Sequence, residues 1–148
     1  AREYAKLWEQ DAEREDCYAL TFDGEDTWSL KYNMVWDKLF QMGLFSDEVY
    51  ERELAWYKTK FNTYGLPLDS RSDYTKSDWI CWCAAMCEDN AQAEKLMAPI
   101  AAYLENSPTR IPFGDWYGSV TGRYEHFIAR SVQGGIYTRI FRHHWNSK

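Results

Sequence analysis

The chain has 148 residues, a formal net charge of −6 and 18% aromatic side chains. That length allows one domain with a real core, and no apolar run is long enough to cross a membrane. Lys and Arg are scattered, apart from Arg139, Arg142, His143 and His144 near the end, so neither nucleic acid nor an anionic membrane is expected as a partner.

The first predicted element is an amphipathic helix over about 2–18, where Tyr4, Leu7, Trp8 and Ala12 recur at helical spacing among charged residues. The chain opens on this pattern at Ala1 with no targeting segment before it, which suggests a piece of a longer precursor. A second helix, about 29–43, carries Leu30, Met34, Val35, Trp36, Leu39, Phe40 and Met42 and has almost no polar face. It is expected to be buried on most sides. Inside it, Asp37 needs a cationic partner such as Lys31, Lys38 or an arginine.

Ser46 is placed to cap a third helix, with Asp47 and Glu48 in its first turn. Tyr50, Leu54, Tyr57 and Phe61 form its stripe, and Gly65 and Pro67 end it. Trp79 to Cys87 is an uncharged run that reads as another buried helix. Ala93, Leu96, Met97, Ile100 and Leu104 mark the next amphipathic helix, which Pro99 is expected to kink or split. The last helix, about 129–143, places Ala129, Val132, Ile136 and Ile140 on one face, with Gly134 and Gly135 admitting a close neighbour. Cys17, Cys81, Cys83 and Cys87 lack the spacing of a metal site and read as buried free thiols.

Wet-faced and dry helices thus alternate three times. The prediction is an all-α fold of about three helical hairpins, outer and inner helices alternating, as in part of an α/α toroid. A plain six-helix bundle is the rival architecture. The links from outer to inner helix are long, about 19–28, 63–74 and 106–128, and must lie at one end.

Those loops supply the candidate chemistry. The first carries Trp28 and Lys31, the second Asp69, Arg71, Tyr74, Lys76 and Asp78. The third carries Arg110, Asp115, Trp116, Tyr117, His126 and Arg130. Asp69, Asp78 and Asp115 are the candidate catalytic carboxylates. Trp28, Lys31, Arg71, Tyr74, Lys76, Trp116, Tyr117 and Arg130 are the candidate substrate-binding residues. Each has a structural alternative: Thr75 and Asp78 fit a capping box, Asp69 can fix a turn or pair with Arg71, Asp115 can cap a turn or pair with Arg130, and the tryptophans can simply pack. His126 also reads as a surface loop residue. No metal or cofactor motif is present.

Several long words resemble the glutaminase A family. They are Trp28-Ser29-Leu30-Lys31-Tyr32-Asn33-Met34-Val35-Trp36-Asp37-Lys38-Leu39, Tyr64-Gly65-Leu66-Pro67-Leu68-Asp69-Ser70-Arg71 and Tyr74-Thr75-Lys76-Ser77-Asp78-Trp79. Pro112-Phe113-Gly114-Asp115-Trp116-Tyr117 and Ala129-Arg130-Ser131-Val132-Gln133-Gly134-Gly135 complete the set, in the family's order. The resemblance implies a six-hairpin α/α toroid, with residues 1–148 as its C-terminal half, and hydrolysis of glutamine to glutamate and ammonia; no cofactor is expected, since no motif for one is present. It implies a secreted or periplasmic parent protein, whose missing N-terminal half is then a partner. A carbohydrate-active toroid, acting on or binding a sugar, and a non-catalytic scaffold half are the alternatives. Exposed apolar edges are expected on the first and third hairpins, or self-association that covers them.

Overall fold

A computed structural model describes residues 1–109 and 112–147 of the chain. It is mostly helical. The first helix, α1, spans Arg2–Ala12 and stops well short of the predicted end, because Glu13 turns extended and bridges back to Tyr18. The second predicted helix is also shorter. A single 3-10 stretch, Tyr32–Met34, leads into α2, Val35–Phe40, which ends where Gln41 and Gly43 adopt positive φ. Asp37 has no cationic partner among the described residues, contrary to expectation. Its carboxylate accepts from Leu44 N at 2.9 Å, Phe45 N at 3.2 Å and Tyr50 Oη at 2.7 Å, so it ties the turn after α2 to the next helix.

That helix, α3, is Asp47–Tyr57, with both first-turn acids at the positive end of its dipole. Ser46 stands at its N-cap position but makes no side-chain cap bond. Further on, α4 is Ser77–Met86 and buried nearly throughout, as its uncharged run requires. Asp89 caps α5, Asn90–Asn106, by accepting from Ala91 N and Gln92 N. Pro99 does not split α5. Leu96, Ile100 and Tyr103 are buried on one side and hold the helix together there, while Leu104 is left exposed.

The final segment is a 3-10 stretch, Ser131–Tyr137, followed by α6, Thr138–Asn146. The predicted apolar face of this helix meets the core only in part. Ile136 packs against Ile80 and Cys81, but Ile140 is 70% exposed and Val132 is exposed too. Arginines face inward instead. Arg139 Nη1 donates to Ala84 O and Cys87 O, both at 2.9 Å, and Arg142 Nη1 donates to Ala85 O at 2.7 Å. The last carbonyls of α4 need donors, and the guanidinium groups supply them.

Helices α2, α4 and α6 touch one another, α5 packs on α4, and α3 joins through Tyr50, Leu54 and Tyr57 in the main core. All four cysteines are buried and free. Two short strands add to the helices. Tyr74–Lys76 (β1) pairs antiparallel with Trp116–Gly118 (β2), Lys76 opposite Trp116 and Thr75 opposite Tyr117. Further backbone bonds tie the long loops together. Leu30 N donates to Leu68 O, Ser70 N to Trp28 O, and Leu68 N to Tyr74 O. The three loops therefore meet at one end, as their lengths predict. Apolar side chains remain bare on the first and last helices: Tyr4 is 77% exposed, and Tyr137, Phe141 and Trp145 are exposed with it.

Candidate functional site

The β1–α4 junction sets the centre of the site. Strand alternation turns Thr75 inward, opposite the buried Tyr117, and sends Lys76 and Trp116 to the other face. Lys76 Nζ lies over two indole rings, 4.3 Å from the centroid of Trp79 and 4.9 Å from that of Trp116. Burial and the nearby Arg130 charge push its ammonium pKa down. Because Thr75 is committed to the strand, the expected capping box does not form. Thr75 Oγ1 and Asp78 Oδ1 are both buried without a partner.

Asp78 is the unusual carboxyl of the site. It is 2% exposed and its pKa is pushed up to about 6, by burial first and by the Asp115 charge second. Lys76 and the backbone N–H groups at the start of α4 offset part of this. Trp116 Nε1 is another buried donor without a partner on this side of the ribbon. Buried polar atoms are rarely left so, and three of them lie in or beside the β1–β2 ribbon and the start of α4.

Asp115 is fully buried and paired with Arg130, as predicted. Arg130 Nε donates to Oδ1 at 3.0 Å and Nη2 donates to Oδ2, a bidentate pair. The Arg130 guanidinium also lies 4.7 Å from the Phe127 ring centroid. The loop leading to it holds two non-glycine residues at positive φ, His126 and Ala129. His126 packs against Trp116, with ring centroids 4.9 Å apart.

Beside this centre lies a cleft of about 610 Å³, lined by Ser29, Lys31, Tyr32, Asp69, Arg71 and Trp79 among others. Tyr32 stacks on Trp79 at 3.8 Å. Burial raises the Tyr32 phenol, and the Asp78 and Asp69 charges both add to the rise, so this ring connects the cleft with the junction. At the mouth, Asp69 receives Arg71 Nε at 2.9 Å, Nη2 at 2.7 Å and the Arg71 backbone N at 2.9 Å. Burial pulls the Asp69 carboxyl upward, but the Arg71 hydrogen bonds and charge outweigh it and hold the group below its ordinary value. Both structural alternatives for Asp69, the turn and the ion pair, are therefore realised.

Lys31 sits at the floor of the cleft. Its Nζ donates to Tyr18 O at 2.7 Å, Ser29 O at 3.0 Å and Ser29 Oγ at 3.1 Å, and lies 3.9 Å from Glu53 Oε2. Burial lowers the Lys31 pKa and raises that of Glu53, each against the pull of the other's charge.

The structure thus gathers Tyr74, Lys76, Asp78, Asp115, Trp116 and Arg130 at the junction, and Lys31, Asp69 and Arg71 in the adjoining cleft. Trp28 and Tyr117 point into the protein instead. Trp28 is in the core, and Tyr117 stacks on Tyr103 at 3.7 Å and donates to Tyr64 O. Arg110 lies outside the described residues. Sequence reasoning missed Ser29, Tyr32 and Glu53. Glu53 shares the buried face of α3 with Tyr50, Leu54 and Tyr57, and an acid on that stripe is a legible signal of a buried partner. Among the described residues no three His, Cys, Asp or Glu side chains converge as a metal site.

Comparison with known proteins gives a consistent relationship. The profile of the Glutaminase A six helical-hairpin domain matches residues 1–140. Glutaminase A of Aspergillus oryzae is 31% identical over 147 residues, covering 95% of this chain and 21% of that protein. A protein of Arthroderma benhamiae called probable glutaminase is 30% identical over 146 residues, covering 78% of this chain and 17% of that protein. The chain thus spans about a fifth of the length of these curated relatives. No solved structure matches it.

Proposed function

Because the chain belongs to the glutaminase A family, we propose that it forms three hairpins of a six-hairpin α/α toroid whose loop end hydrolyses the side-chain amide of glutamine. The remaining hairpins of the parent protein then cover the bare apolar edges of the first and last helices. The observation that carries the catalytic reading is Asp78, a buried carboxyl with an unpartnered oxygen and a pKa of about 6. Such a group keeps its proton well above the ordinary carboxylate range, up to about pH 6, and can release it to nitrogen as the C–N bond breaks. Asp69 and Asp115, the other two candidate acids, are each engaged by an arginine and serve better in binding and support. Arg71 at the mouth suits a substrate carboxylate, Asp69 an ammonium group, and Lys76 a developing oxyanion. Export of the parent protein belongs to the same proposal, and recovery of the activity from culture medium tests it.

Ammonia release from glutamine by the full-length protein tests the reaction. Asp78→Asn should lower kcat by about 10²–10⁴-fold, and Asp69→Asn should act mainly on KM. Unchanged turnover in Asp78→Asn removes that residue from the mechanism. The Tyr32–Trp79 stack also favours a second reading, a sugar platform. Glycan binding without ammonia release selects it.

A further inference from the structure

Two residues of the cleft have no part in the acid–base reading, yet they form a unit of their own. Ser29 and Lys31 both line the cleft, and their Oγ and Nζ atoms are 3.1 Å apart. Lys31 Nζ has two further acceptors, both main-chain carbonyls, Tyr18 O and Ser29 O. A neutral amine has two N–H donors for those two carbonyls. Its lone pair then faces Ser29, whose hydroxyl can donate to it. Burial works against the ammonium form, lowering the Lys31 pKa and raising that of Glu53, whose Oε2 lies 3.9 Å from Nζ. Ser29 itself is half-buried and reachable from the cleft.

We propose that Ser29 is the nucleophile of the site and Lys31 its general base, acting on a carboxamide held in the cleft. The proposal rests on the amide-hydrolase reading for its substrate and names the atom that attacks. Ser29 Oγ bonds to the amide carbon and its proton passes to Lys31 Nζ. The tetrahedral intermediate expels ammonia, the nitrogen taking its proton from Asp78, and an acyl ester remains on Ser29. Water then attacks the ester carbon and gives a proton to the Asp78 carboxylate. The C–Oγ bond breaks, and Lys31 returns its proton to Oγ. The sum is amide plus water to carboxylic acid plus ammonia, with every group restored.

The test treats the full-length protein with a fluorophosphonate, which phosphonylates activated serines, and separately with a diazoketone analogue of glutamine. Peptide mapping then locates the adducts. Both reagents should label Ser29. Ser29→Ala should lose both labels and lower turnover by about 10³-fold or more, with its circular dichroism unchanged. Ser29→Cys, which keeps a nucleophile beside Lys31, should regain labelling by the diazoketone. A merely structural Ser29–Lys31 contact predicts neither label, and absence of label on Ser29 in the folded wild-type protein overturns the proposal. So does full turnover in Ser29→Ala, or diazoketone adducts on Asp69, Asp78 or Asp115 alone. If the wild-type protein releases no ammonia from glutamine, the amide-hydrolase reading fails by itself, and fluorophosphonate labelling still decides the dyad.

Discussion

Replacing Asp78 by Asn should stabilise the protein at high pH and leave it nearly unchanged at low pH. The carboxyl rises from an ordinary 3.8 to about 6 in the folded chain. That rise corresponds to about 3 kcal/mol of destabilisation once the group ionises. The sign follows from proton binding. The folded state holds the proton more tightly than the unfolded one, so the favourable contribution is fully present below about pH 4 and is lost as pH rises through about 6. Asn is nearly isosteric and carries no charge at any pH. Urea denaturation should therefore find Asp78→Asn more stable than wild type by about 3 kcal/mol at pH 8, with the two nearly equal at pH 4. Comparing variant with wild type at each pH cancels the titration of the other acids. For a domain of this size the gain is a rise in Tm of roughly 6–12 °C. A gap that is the same at both pH values, or a less stable variant at pH 8, refutes the assignment of a costly buried charge. Stabilisation by a substitution that reduces turnover is what a strained functional group predicts.

Two further outcomes concern the supports of the site. Arg130→Met strands the fully buried Asp115 carboxylate and should cost about 3–5 kcal/mol in chemical denaturation. Asp115→Asn should cost less, because the Arg130 side chain is 30% exposed and can turn to water. Tyr50→Phe removes the 2.7 Å bond to Asp37 and should cost about 1.5–3 kcal/mol, read from the midpoint of urea unfolding; a cost near zero means that water replaces the phenol.

The sequence reading succeeds where information is local. The stripe of α3, the uncharged run of α4 and the acids at the start of α3 follow from spacing and from residue type at the terminus. The Asp115–Arg130 pair is legible too, since an arginine entering a buried segment needs an acid nearby. The misses depend on partners distant in sequence. Thr75 looks like a cap until Trp116–Gly118 pairs with Tyr74–Lys76 and draws it into a strand. Asp37 appears to need a cation until the turn folds two amides and a phenol onto it. Pro99 reads as a break, but buried side chains on the far side of α5 outweigh one missing hydrogen bond. Lys31 is legible as a loop cation, but nothing local marks Ser29, and the folded loop places the two side chains together.

The attachment of α6 has a thermal consequence. Its arginines meet main-chain oxygens while Ile140, Phe141 and Trp145 are already exposed, so lifting this helix uncovers less hydrocarbon than opening the core does. Detachment should therefore carry a small heat-capacity change, unlike the opening of the layers around α4. Guanidinium ions, which mimic the arginine heads, should loosen the tail at concentrations where urea leaves it seated. The end of the chain is thus fastened by a polar clasp, one that chilling does not weaken as it weakens an oily joint.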